Sequence, residues 1–214
     1  TVLNGSPKGD QSVTMQYVHF MQKKFPQHEL KILNIAQKIK KIENDEQTFQ
    51  EVLDEVKRSD GVLWAFPLYY MLVCAQYKRF IELIWERGAQ DVFQGKYAAA
   101  LATSIHFYDH TAINYIHGIC DDLGMKYVDA YSAHMQYLLK EDERKRLMLF
   151  AENVFETIGK ALPTFRTYQP VDYHPVAYIP GNVEGKAVIN GKKVVIITDC
   201  DDPQTNIGKM IAQC

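Results

Sequence analysis

Cysteine is scarce in this 214-residue chain: there are four, Cys74, Cys120, Cys200 and Cys214, and no two stand close together. Thiolate metal and iron–sulfur sites need ligands converging from short spacings, so no metal centre is expected. A core of this size needs no covalent staples, which favours free thiols in a reducing, cytoplasmic setting over a pair of disulfides. The chain also lacks a surplus of either charge, with 24 Lys and Arg against 26 Asp and Glu and a net −2 when histidines are neutral. That balance offers no bulk attraction to nucleic acid or to an anionic membrane surface. The longest apolar runs, Gly61–Pro67 and Tyr97–Ala102, fall far short of the roughly 20 residues of a membrane-spanning helix. Two phosphate-binding fingerprints are missing as well. No glycine–lysine–Ser/Thr terminus exists, and no triple-glycine dinucleotide motif, so a tightly held NAD is not expected. An initiator Met is absent too; the chain opens inside an apparent strand and closes inside an apparent helix, so a few residues are expected in front and a further module behind.

What is present alternates between two periods. Short β-branched or apolar runs predict strands at Thr1–Leu3, Glu29–Asn34, Gly61–Phe66, Lys96–Thr103 and Met125–Ala130. Helical spacing predicts helices at Gln11–Phe25, Thr48–Arg58, Ala75–Trp85, Thr111–Leu123 and Glu141–Ile158. Five strands, each followed by a helix, imply an α/β domain, a parallel sheet covered on both faces. In such sheets ligands bind beyond the carboxyl ends of the strands, which directs attention to the loops after Leu3, Phe66 and Thr103. Past Leu162 the pattern changes. Pro170, Pro175 and Pro180 stand among Tyr168, Tyr173 and Tyr178, predicting an extended arm on the protein's own surface or a neighbour's. Asn190-Gly191 between Ala187–Ile189 and Lys193–Thr198 predicts a β-hairpin, and a helix follows near Thr205–Ala212. The division expected is therefore residues 1–162 as the ligand-binding domain and 163–214 as an appended arm, hairpin and helix.

Three loops carry residues suited to chemistry. After the first strand comes Gly5-Ser6-Pro7-Lys8-Gly9-Asp10-Gln11-Ser12-Val13-Thr14, which offers backbone N–H groups, hydroxyls and a helix N-terminus. Those features suit a phosphate dianion, the alternative being an ordinary β–α turn with an N-cap. After the third strand stand Pro67, Leu68, Tyr69, Tyr70 and Met71, whose rings either cover a flat heterocycle or simply cap the sheet. After the fourth come Thr103, Ser104 and His106, with the histidine either touching a bound ring or substrate or merely solvated. Lys38-Ile39-Lys40-Lys41 reads as a solvated turn, and Asp199-Cys200-Asp201-Asp202 as a weak cation candidate whose carboxylates disfavour a Cys200 thiolate.

Together these loops resemble the NADPH-dependent FMN reductase family of the flavodoxin-like superfamily. Gly5-Ser6-Pro7-Lys8 with Ser12-Val13-Thr14 is similar to that family's phosphate loop. Pro67-Leu68-Tyr69 running into Ala75-Gln76-Tyr77-Lys78-Arg79-Phe80 is similar to its Pro-x-Tyr segment and following helix, and Asp60-Gly61-Val62 to its strand entry. The likeness covers about residues 1–160. It implies a flavodoxin-like fold and non-covalent FMN, with the phosphate near Ser6, Lys8, Ser12 and Thr14 and the ring system near Pro67–Leu72 and the loop from Thr103. The cysteine cluster of some relatives is missing between Ile35 and Thr48, and His106-Phe107-Tyr108 puts bulk where many relatives have glycines. The function expected is an FMN-dependent oxidoreductase passing electrons from NAD(P)H to a quinone, flavin or other small acceptor, as a homodimer or higher homo-oligomer. The alternatives are an electron-transfer or redox-sensing domain for a protein partner, and a flavin-free interaction module.

Overall fold

A computed structural model of the chain describes residues 1–170, 176–181, 191, 193 and 195–213. Its strands are β1 (Val2–Asn4), β2 (Ile32–Asn34), β3 (Gly61–Pro67), β4 (Tyr97–Ser104) and β5 (Lys126–His134). They pair in parallel throughout, in the order β2-β1-β3-β4-β5. The helices are α1 (Val13–Lys24), α2 (Ile35–Asn44), α3 (Glu46–Arg58), α4 (Ala75–Glu86), α5 (Asp109–Asp122), α6 (Glu141–Gly159) and α7 (Asn206–Ile211). Pleating sends alternate strand residues to opposite faces. Val62, Trp64, Phe66, Ala98, Ala100 and Ala102 join a core under α2, α3, α4 and α5. Leu63, Ala65, Ala99 and Leu101 join a second core under α1 and α6. Burial on both faces explains why β3 and β4 show no polar alternation. The alanines of β4, a strand buried along its whole length, leave room for bulky neighbours; on β3, Trp64 packs with Tyr77 at 6.0 Å and Phe93 at 6.1 Å.

Three elements differ from the sequence expectation. Lys38-Ile39-Lys40-Lys41 is not a turn but the middle of α2, where Ile35, Ala36, Ile39 and Ile42 are buried and the lysines face outward. The first strand's partner, β2, is only three residues long; Lys31 still accepts the Val2 N–H at 2.7 Å, while Glu29 and Leu30 lie outside the pairing. Conversely, β5 continues to His134, well past Ala130. A bulge opposite Ala98/Ala99 places Asp129 across from Ala99, breaking the in–out pattern that marks a strand in sequence.

The chain separates into Thr1–Pro170 and Val171–Cys214. Within the first unit, residues beyond α6 return to the end of α5. There the buried Asp121 carboxylate accepts the Thr167 and Tyr168 N–H groups at 3.0 and 2.8 Å, and Arg166 pairs with Asp122 at 3.1 Å. In the second unit, Thr205 caps α7 by accepting the Gly208 N–H at 3.0 Å. Of the expected hairpin, the first strand and Asn190 lie outside the described residues; Gly191 has a positive φ of 70°, and residues 195–198 of the expected second strand form no strand. Among the described residues, no helix is long and apolar enough to cross a membrane, and no three metal-ligating side chains converge, the Asp199–Asp202 run included.

Candidate active site

At the carboxyl end of β1, fully buried Asn4 organises the loop that follows. Its side-chain oxygen accepts the Ser6 N–H at 2.9 Å, and its amide donates to Asn34 at 2.7 Å. Gly5 donates to the Ala65 carbonyl of β3 at 2.7 Å, and a Cβ there would stand 2.6 Å from the Tyr77 ring. Only glycine fits that approach, because Tyr77 is itself fixed, fully buried with its hydroxyl donating to the Leu3 carbonyl at 2.7 Å. The loop ends at Ser12, whose Oγ accepts the Met15 N–H at 3.2 Å and so caps α1. The N–H groups of Val13 and Thr14 keep no partner among the described residues, as expected for a first helical turn. Thr14 shares a 2.6 Å hydrogen bond with Thr103 of β4, both hydroxyls being buried. Backbone donors, three hydroxyls and the exposed Lys8 therefore stand at the positive end of α1.

After β3, the Leu68 N–H bonds to Thr103 at 2.9 Å, and Tyr69 and Leu72 exchange backbone bonds of 2.7 and 3.1 Å. The two residues between them, Tyr70 and Met71, have φ of 47° and 72°. Positive φ at both central positions is the pattern of a type I′ turn, usually filled by Asn-Gly. Tyr70 stands 90% exposed at its tip. The loop after β4 repeats this strain, with φ of 60° at His106 and 57° at Tyr108. Of the five non-glycine residues with positive φ among the described residues, four thus belong to these two loops. Each costs on the order of 1–3 kcal/mol, and such outliers cluster at ligand sites.

Hydrogen bonds hold the second strained loop. The His106 N–H donates to Ser104 Oγ at 2.8 Å, its ring Nδ1 meets Asp109 at 2.7 Å and its Nε2 meets the Tyr137 hydroxyl at 2.9 Å. Asp109 also accepts the Ser132 hydroxyl. Burial pushes the Asp109 carboxyl up, but bonds from Ser132, His106 and Ser104 outweigh it and hold the group below its ordinary value. Cys74, at the N-terminus of α4, touches the Gly5 carbonyl at 3.2 Å, and burial raises its thiol, making it a packing group rather than a nucleophile.

The three loops enclose one cleft of about 370 Å³, within the range of about 300–1,000 Å³ for small-ligand sites. Ser6, Lys8, Ser12, Val13 and Thr14 line one end, with Pro67, Leu68, Tyr69, Tyr70, Thr103 and Ser104 along the walls. Every site residue expected from sequence is there except Met71 and His106. Met71 occupies the strained turn without reaching the cleft, and the His106 ring is tied to Asp109 and Tyr137. The structure adds Ile105, Phe107 and Met135. Phe107 was visible in the loop only as bulk, and Met135 follows a strand that runs four residues beyond the expected Ala130. The cleft is polar and cationic at one end and apolar at the other. A larger depression of about 580 Å³ lies at the opposite sheet edge, around Glu29, Arg58 and Asp60. Helices present their C-termini there, so the dipole disfavours an anion.

With this geometry in view, the comparisons agree on the architecture. A family model described as a flavodoxin-like fold matches residues 1–154. The chain belongs to the flavodoxin-like fold family. Solved structures with this fold include an NADH:FMN oxidoreductase in its apo form, 17% identical with TM-score 0.60, over 74% of this chain and 87% of that one. Another is the Paracoccus denitrificans flavoenzyme FerB, an NAD(P)H:acceptor oxidoreductase, 19% identical with TM-score 0.57, over 74% and 96%. A third is an FMN-dependent NADH-azoreductase from Bacillus anthracis in complex with FMN, 14% identical with TM-score 0.50, over 75% and 97%. No curated protein sequence matches.

Proposed function

We propose that the cleft holds FMN and that the protein is an oxidoreductase passing electrons from NAD(P)H to a small acceptor such as a quinone or a free flavin. One observation carries this reading: an anion cradle at the start of α1 and an aromatic-walled slot share a single cleft where β1 meets β3. That is the crossover at which this strand order presents its ligand site. The residues fit the group. Ser6, Ser12, Thr14, Lys8 and the unpartnered N–H groups of Val13 and Thr14 would hold the phosphate. Tyr69, Tyr70 and Phe107 would lie against the ring system, and the Tyr70 N–H, which has no partner among the described residues, would meet its polar edge. Bound FMN supplies reversible electron uptake, while the protein supplies orientation and the surrounding field. The family match and the flavoenzymes among the solved neighbours support the reading. The same proposal includes a homodimer or higher homo-oligomer in the cytoplasm, the free thiols of Cys74, Cys120 and Cys200 suiting a reducing compartment.

The test is chemical identification of the cofactor released on denaturation, then NAD(P)H oxidation with an artificial acceptor. FMN at one per chain with acceptor-dependent turnover is the expected result. A protein that neither carries FMN nor takes it up on reconstitution refutes the proposal, and FMN without NAD(P)H turnover points to an electron carrier instead.

A further inference from the structure

Asn34 stands at the carboxyl end of β2, in register with Asn4 of β1, and occupies the N-cap position of α2. Asparagine is among the strongest helix-capping residues, yet this side chain caps nothing. Its oxygen instead accepts the Asn4 amide at 2.7 Å, and its own amide donates to both oxygens of the Asp10 carboxylate at 3.2 Å. Asn4 in turn accepts the Ser6 N–H at 2.9 Å. The two ends fix the direction of this chain. A backbone N–H can only donate and a carboxylate only accept, so each amide has one orientation that satisfies both neighbours. Ser6 and Asp10 lie on opposite limbs of the loop between β1 and α1. Asn34 therefore ties both limbs to the sheet, although it does not line the cleft. Among the described residues, its bond to Asp10 is the one side-chain hydrogen bond joining Gly9–Gln11 to the rest of the fold. Beside it Gly9, with φ of 57°, meets α2 so closely that a Cβ would stand 2.5 Å from the Gln37 side chain.

We propose that Asn34 is a positioning residue for the flavin phosphate, and that the Ser6–Asn4–Asn34–Asp10 chain makes the cleft select FMN over riboflavin. The proposal rests on the FMN reading above. Holding a dianion through hydroxyls and backbone N–H groups requires both limbs at a fixed spacing, because hydrogen bonds weaken steeply as their angles close. With its N–H spent on Asn4, Ser6 offers the ligand its hydroxyl. Its Oγ already accepts the Lys8 N–H at 3.3 Å, which leaves the O–H to donate. Asn34 has a second effect. Asp10 carries the same charge as the phosphate, and a carboxylate loose on this loop would repel it. The Asn34 amide instead holds both its oxygens toward β2. Neither effect concerns the ring system, which riboflavin carries without the phosphate. Asn34 lies outside the cleft and so acts only through the loop.

The experiment strips flavin from the full chain and measures affinity for FMN and for riboflavin by quenching of flavin fluorescence. Wild type is compared with N34A, N34D, D10N and D10N/N34D. N34A is expected to weaken FMN binding about tenfold and riboflavin binding less than about twofold. N34D still accepts from Asn4 but sets a carboxylate against Asp10, and should weaken FMN binding by more than about tenfold. In the D10N background the new amide donates to the new carboxylate, and the same N34D change should cost less than about threefold. Should N34A yield no folded protein by urea unfolding, N34D and D10N/N34D carry the test, since both keep the acceptor for Asn4. Equal weakening of both flavins overturns the assignment, because a general loss of structure does not read the phosphate. FMN affinity within about twofold of wild type in both single Asn34 variants overturns it too. A double variant as weak as N34D overturns the Asp10 link. A wild-type chain that takes up neither flavin fails the FMN reading itself, whereas one that binds FMN equally well whatever stands at position 34 sinks this inference alone.

Discussion

Replacing Thr14 by valine separates a structural hydroxyl from a ligand-binding one. Thr14 Oγ1 and Thr103 Oγ1 are 2.6 Å apart and both buried, so T14V leaves Thr103 with a lost partner in a dry site. An orphaned buried polar group costs about 1–3 kcal/mol, which is the stability loss expected for the apoprotein in urea unfolding. T14V/T103V removes both hydroxyls at nearly constant shape and should recover most of that loss. Affinity follows a different rule. A hydrogen bond to a charged oxygen is worth about 1.5–3 kcal/mol, so T14V should weaken FMN binding roughly tenfold to a hundredfold, measured by quenching of flavin fluorescence. The double variant should stay as weak, because restoring stability does not restore the donor. If T14V binds FMN within about twofold of wild type, or if affinity returns together with stability in the double variant, Thr14 is a strut and the phosphate site is elsewhere.

Gly5→Ala drives a methyl to 2.6 Å from the immobile Tyr77 ring and should lower stability by about 1–3 kcal/mol, visible as a fall in Tm. His117 is stacked on Tyr127 at 3.8 Å; burial lowers its pKa and the Asp121 carboxylate opposes this. A histidine whose folded value lies below the unfolded 6.5 contributes stability that is full above that value and is lost as pH falls through the folded one. H117F should therefore flatten the slope of unfolding free energy below about pH 6.5, and an unchanged slope would mean another group titrates. Truncation after Leu162 removes the Thr167 and Tyr168 donors from buried Asp121 and should cost about 1.5–3 kcal/mol more than truncation after Pro170. Neither truncation should alter FMN affinity.

How far the sequence could be read depended on what each segment asks of its residues. Strands buried on both faces need continuous apolar runs, so β3 and β4 were plain from Gly61–Pro67 and Tyr97–Ala102. The turn after β1 and the start of α1 were plain too, because a glycine-rich loop ends at a hydroxyl residue suited to an N-cap, and Ser12 fills that place. α2 was hidden because three lysines in four positions look solvated, although Ile35, Ile39 and Ile42 keep helical spacing beneath them. The third wall of the cleft was hidden for a different reason. Met135 sits where it does because β5 runs four residues past Ala130, beyond a bulge at its start that no local pattern announces. The role of His106 depends on Tyr137, 31 positions away along the chain, and on Ser132 through Asp109, contacts that only the tertiary fold creates.

The strain explains why those distant contacts exist. Tyr70, Met71, His106 and Tyr108 together hold left-handed backbone worth roughly 4–12 kcal/mol, comparable with the whole stability of an ordinary domain, about 5–15 kcal/mol. A loop carrying that much strain without fixed partners would relax. The first loop is closed by the reciprocal Tyr69–Leu72 pair and anchored to β4 through Leu68. The second is anchored by the His106 bonds and by the buried Asp109 carboxylate. Both sets of bonds join protein groups to protein groups, so the fold's own contacts offset the strain of the cleft walls. Glycine at any of these four positions would relieve the strain at no steric cost. That two tyrosines, a methionine and a histidine stand there instead is the physical reason to look for chemistry between the two loops.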